Sequence, residues 1–145
     1  MSAAGMDLIG RMGHEAIRAA GWQPHAVGGL TMGADPVAYA IAAASFRAGV
    51  PIDAFSVRKE SKDHGTGRSV EGNFRAGDEV VVIEDDITSG GSARKAAAAI
   101  EREGGSVLGV IAVVDREQGG KATLEADGRR VVSLTTASEL GLKNP

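Results

Sequence analysis

Continuous apolar runs, not alternating ones, mark the strands of this chain. Val80-Val81-Val82-Ile83 is a run of four β-branched residues inside Glu79 to Glu84, and "VLGVIAVVD" spans Val107 to Asp115. Such runs predict strands covered on both faces. Shorter runs predict strands over Ala26 to Leu30, Ile52 to Arg58 and Arg130 to Thr136. Helices are predicted between them. The first covers Asp7 to Ala20 and is ended by Gly21. The second has Asp35 as its N-cap, Pro36 at the first helical position and Gly49 at its end. The third runs from Ser92 to Glu103 and stops at Gly104-Gly105. Strands alternating with helices predict an α/β fold, a central mostly parallel sheet flanked by helices. With 145 residues, no repeat and no linker, one domain over 1–145 is expected.

One segment breaks the rhythm. Lys59 to Ala76, "KESKDHGTGRSVEGNFRA", is polar, basic and glycine-containing. A loop of that length in a compact domain is usually functional. It is expected to project from the sheet, either as a lid or as a two-stranded hairpin.

Composition narrows the function. A net charge of -3 argues against generic nucleic-acid binding, and 3% aromatic residues argue against a stacking platform for bases. Without cysteine there is no disulfide and no thiolate metal site. The apolar stretches are too short to span a bilayer, and "MSAAGMDLIGRMGHEAI" lacks the apolar centre of a signal peptide. The expectation is a cytoplasmic protein without nucleic-acid or membrane partners.

The chemistry concentrates where the strand "VVVIE" runs into "DDITSGGS". Ligands of open α/β sheets bind outside the carboxyl ends of the strands. Glu84 and Asp85 stand at such an end, and Thr88, Ser89, Gly90, Gly91 and Ser92 lead into a helix. Small residues at a helix N-terminus expose backbone N–H groups that hold a phosphate, aided by the helix dipole. Carboxylates beside them accept hydrogen bonds from hydroxyls. A sugar phosphate satisfies both halves. Two plainer readings compete: Asp86 or Ser89 caps the helix while the acids are solvated, or the carboxylates hold magnesium. Three further stretches stand out. Arg58, Lys59, Lys62 and His64 offer cationic donors for a pyrophosphate. The glycines of "VGGLTMGADP" suit close approach of backbone to an anion, or simply a tight turn. Arg116 in "VVDREQGG" is either a surface arginine or a forked partner for a carboxylate. His14 and His25 read as structural or exposed.

The string VVVIEDDITSGGS resembles the signature of the type I phosphoribosyltransferases, which bind 5-phosphoribosyl 1-pyrophosphate (PRPP). The resemblance implies that fold, with a projecting catalytic loop, and a ribose 5-phosphate site over Glu84, Asp85, Asp86, Ile87, Thr88, Ser89, Gly90, Gly91 and Ser92. Glu84 and Asp85 would hold the ribose hydroxyls and Thr88 to Ser92 the 5′-phosphate. Asp86 departs from the family pattern, and its side chain is expected to point to solvent. The spacing R-K-E-x-K-x-H-G resembles the mobile loop of orotate phosphoribosyltransferases. That implies Arg58, Lys59, Lys62 and His64 on the pyrophosphate, Lys62, His64 and Asp85 as catalytic, and a homodimer whose active sites are shared across the interface. The D-R-x-x-x-G stretch implies that Arg116, with Thr88, binds orotate. Mg²⁺ would be held mainly by the substrate, with no direct protein ligand. The family's segment before the first helix, which forms a hood over the base, has no counterpart here, so an incomplete base site is expected. Two other readings stay open: a phosphoribosyltransferase for another nucleobase, and a non-catalytic PRPP-binding regulator.

Overall fold

The computed structural model describes residues 1–60 and 67–142. The order is α1 (Ala3–Ala19), β1 (Ala26–Leu30), α2 (Ala34–Arg47), β2 (Asp53–Val57), β3 (Val70–Gly72), β4 (Glu79–Ile87), α3 (Gly91–Arg102), β5 (Ser106–Asp115), α4 (Gly120–Ala126) and β6 (Val131–Thr136). The strands form one sheet in the order β3-β2-β1-β4-β5-β6. All neighbours run parallel except β3, which pairs antiparallel with β2 at the edge.

The β-branched run of β4 explains the layering. Successive strand side chains face opposite ways. Val80 and Val82 pack with Ala93, Ala96 and Ile100 of α3, and with Leu124 of α4. Val81 and Ile83 pack with Ile17 of α1 and with Val37 and Ile41 of α2. The sheet is therefore covered on both faces, as the apolar runs predict. The chain leaves β1 toward β2 and later returns to β4 on the other side of β1. This reversal creates a crevice between β1 and β4 at their carboxyl ends, where doubly wound sheets take their ligands.

Several boundaries and one cap differ from expectation. Helix α1 begins four residues before Asp7, at Ala3, because the Ser2 hydroxyl caps it by accepting the Gly5 N–H at 3.0 Å. Asp35 does not cap α2. The N-cap position is Gly33, and Asp35 lies in the first turn. Its carboxylate is taken by two hydroxyls, Thr31 Oγ1 at 2.6 Å and Ser56 Oγ at 2.8 Å, which tie the β1–α2 loop to β2. Gly28 and Gly29 lie inside β1 and are buried. A Cβ there would collide with the carbonyl oxygens of Phe55 and Ile83 on the two neighbouring strands. They serve close strand packing, not an anion. Of the Lys59–Ala76 segment, Val70–Gly72 does not project but joins the sheet edge as β3, paired with β2, and among the described residues the segment has no second strand to form a hairpin of its own. Helix α4, seven residues from Gly120 to Ala126, was not anticipated by the pattern, being short and set between Gly119 and Gly128.

Candidate functional site

Parallel register brings the candidate groups to one edge. Leu30 pairs with Val57, so the β1–α2 loop and Arg58 leave the sheet side by side. Glu84 pairs with Ala112 and Ile87 with Asp115, which sets Arg116 beside the turn that follows β4. The Arg116 N–H donates to the Ile87 carbonyl at 3.0 Å, and the Gly120 N–H to the Thr88 carbonyl at 3.0 Å. Gly120 allows this: a Cβ there would sit 2.5 Å from the Thr88 carbonyl oxygen.

The three consecutive acids resolve into three different states. Glu84 is 6% exposed, and its Oε1 is buried without a hydrogen-bond partner. Burial, reinforced by the charges of Asp85 and Asp86, pushes its carboxyl up to about 8, so it holds its proton at neutral pH. Asp85 is exposed and faces the β1–α2 loop; a Cβ on Gly33 would stand 2.8 Å from either of its carboxylate oxygens. Gly33 thus keeps the crevice open in front of Asp85. Asp86 does not point freely to solvent. Its Oδ2 accepts from Arg116 Nη1 at 3.2 Å, a partly buried pair. One acid is neutral, one solvated and one paired, which removes the repulsion that the sequence suggests.

The turn after β4 carries the anion donors. Gly90 takes a left-handed conformation (φ 88°) as the N-cap of α3 and supplies no side-chain cap. Among the described residues Ser89 Oγ accepts only the Gly91 N–H, at 3.3 Å. Capping by Asp86 or Ser89 with solvated acids is therefore not the arrangement. The first turn of α3 keeps N–H groups for an anion, and Thr88, Ser89 and Ser92 add exposed hydroxyls. Ile87 contributes no side chain, being 2% exposed and part of the core. Glu84, Asp86 and the 87–92 turn enclose a cavity of about 40 Å³. Larger hollows lie elsewhere, one of them at the amino ends of the strands around His25, Asp53 and Asp78. The chemistry, not the size, singles out the carboxyl edge.

Of the basic loop, Arg58 and Lys59 are described. Arg58 Nη2 pairs with Glu71 Oε1 at 2.8 Å, and its buried Nε has no hydrogen-bond partner. Lys59 is exposed. Lys62 and His64 lie outside the described residues. Among the described residues no group of three or more His, Asp or Glu side chains converges as a metal site, and no helix is long and apolar enough to cross a membrane. His14 is a buried helix residue, and burial lowers its pKa with help from the charge of Arg18. His25 accepts the Glu79 N–H on Nδ1 at 3.0 Å, at the opposite sheet edge. Sequence reasoning missed three contributors to the site: Asp35 as the tie of the β1–α2 loop, Asp86 as the partner of Arg116, and Gly120 as the contact of the phosphate turn.

Comparison with known proteins bears on this geometry. The phosphoribosyl transferase domain family matches residues 2–134. Orotate phosphoribosyltransferase of Aquifex aeolicus is 48% identical over 133 residues, which are 92% of this chain and 72% of that protein. The crystal structure of Mycobacterium tuberculosis orotate phosphoribosyltransferase in complex with inorganic phosphate superposes with a TM-score of 0.87 at 44% identity. It covers 98% of this chain and 76% of that one. The structure of the same enzyme in complex with PRPP gives 0.82 at 44% identity, over 94% and 76% of the two chains. This chain belongs to the phosphoribosyltransferase family and, within it, to the orotate phosphoribosyltransferases.

Proposed function

We infer that this chain, acting as one domain, transfers the phosphoribosyl group of PRPP to orotate. The products are orotidine 5′-monophosphate and pyrophosphate, a step of pyrimidine biosynthesis. The single observation that carries this reading is the joining, at one sheet edge, of the Glu84–Ser92 stretch with Arg116. A phosphate cradle and a carboxylate-binding guanidinium then lie side by side, as the two substrates require.

The chemistry follows from those groups. The bond from ribose C1 to pyrophosphate breaks largely before the ring nitrogen of orotate bonds, so the ribose gains oxocarbenium character. The 5′-phosphate sits on the first-turn N–H groups of α3 and on the Thr88, Ser89 and Ser92 hydroxyls. Glu84 and Asp85 bracket the ribose hydroxyls from the α3 and α2 sides of β4. Asp85, which is exposed, favours the growing positive charge. Arg58, Lys59, Lys62 and His64 stabilise the departing pyrophosphate, with Lys62 foremost. No side chain forms a covalent intermediate. Arg116 and Thr88 orient orotate. Mg²⁺ would be held mainly by the diphosphate, with no direct protein ligand, and would supply further positive charge to the leaving group. A cytoplasmic homodimer with active sites shared across its interface completes the reading, on the strength of the R-K-E-x-K-x-H-G loop and the family.

The test is a kinetic split. Arg116→Ala is expected to raise the orotate KM roughly tenfold or more, as loss of a charge-assisted contact does. The KM for PRPP should change little. An unchanged orotate KM would remove the reason for choosing this base.

A further inference from the structure

We propose that Asp86 is a built-in competitor for Arg116: its carboxylate holds the guanidinium that the carboxylate of the incoming base must claim, and so weakens binding of that base. This rests on the reading of Arg116 given above. Asp86 is the third of the three consecutive acids, and the structure shows what its carboxylate meets. Asp86 Oδ2 accepts from Arg116 Nη1 at 3.2 Å, and the two side chains are 40% and 31% exposed. The other end of the fork is no easier to reach, because Arg116 Nε is buried without a partner. A planar carboxylate is bound best by two parallel N–H groups. With Nη1 taken and Nε enclosed, an entering carboxylate gains a forked contact only by displacing or sharing with Asp86.

Electrostatics acts in the same direction. Asp85 and Asp86 add negative charge beside a site for an anionic base. Arg116 compensates it in part, and Glu84, which holds its proton at neutral pH, adds no further charge. The competition touches substrate and nucleotide product alike, since both carry the carboxylate. Asp86 thus sets base affinity uniformly and favours release of the product. It is an affinity-setting residue, and it takes no part in bond breaking.

The experiment is a double-mutant cycle on the full chain. Asp86→Asn keeps the shape and removes the charge. It is expected to lower the orotate KM and the Kd for orotidine 5′-monophosphate by a similar factor, roughly three- to fivefold, the scale of a partly exposed ion pair. In an Arg116→Ala background the same substitution should give a much smaller gain, since only the direct repulsion between Asp86 and the anionic base is left to relieve. Asp86→Ala should reproduce the gain, which keeps the test independent of how the asparagine packs. An orotate KM that is unchanged or raised by both Asp86 variants overturns the proposal, as does an equal gain in the Arg116→Ala background. The two levels of the reading separate cleanly. If Arg116→Ala raises the orotate KM but the Asp86 variants do not lower it, only the competition fails. If Arg116→Ala leaves it unchanged, the assignment of Arg116 and the competition fall together.

Discussion

Replacing Glu84 with glutamine is expected to raise the melting temperature by several degrees at pH 8.5 and to leave it nearly unchanged at pH 5. The cause is the raised carboxyl. Below about pH 4.5 the folded and unfolded chains both hold the Glu84 proton, and it contributes nothing to the pH dependence. Between that value and about pH 8 the unfolded chain has released the proton while the folded chain keeps it. Stability therefore falls as pH rises through this window. Above pH 8 the folded state must bury a carboxylate, and the loss is complete, on the order of a few kcal/mol. Glutamine mimics the protonated acid at every pH and escapes the loss. The proposed role of Glu84 toward the ribose hydroxyls of PRPP supplies the reason to keep a carboxyl there. A residue that costs stability and serves a ligand is the usual trade at an active site. Thermal melts of both proteins across pH 5 to 9 check it. A difference in melting temperature that does not vary with pH would contradict the buried, proton-holding Glu84.

Lys62→Ala is expected to lower kcat on the order of 10²- to 10³-fold while the Kd for PRPP changes far less. On the proposed reading, Arg58, Lys59 and substrate-borne Mg²⁺ would share the charge of the diphosphate in the ground state. As the C1–O bond breaks, two electrons pass to the leaving oxygen, and a point charge aimed there gains most in the transition state. Single-turnover rates set beside calorimetric PRPP binding separate the two effects. Equal losses in rate and in binding would contradict the transition-state role.

Local order made much of the fold legible. The buried runs of β4 and β5 are readable because an all-apolar strand has few other places to go in a chain of this size. The phosphate turn is readable because its donors are consecutive in sequence. Contacts between distant residues were hidden. Asp86 and Arg116 are 30 positions apart and meet only because β4 and β5 pair in register. Asp35 looked like a cap because Pro36 follows it, but the hydroxyl of Ser56 on β2 claims its carboxylate. Gly28 and Gly29 looked like part of an anion loop, though strand packing requires them. Helix α4 was obscured by the glycines at both its ends.

The central claim, transfer of phosphoribosyl to orotate, is tested most directly by turnover. The full chain is mixed with Mg²⁺, PRPP and orotate; loss of orotate is followed by ultraviolet absorbance and pyrophosphate release is measured in parallel. The account predicts equal amounts of orotate consumed and pyrophosphate released, with adenine and hypoxanthine inert in its place. Consumption of a purine with orotate untouched would contradict it, and so would tight PRPP binding with no turnover of any base.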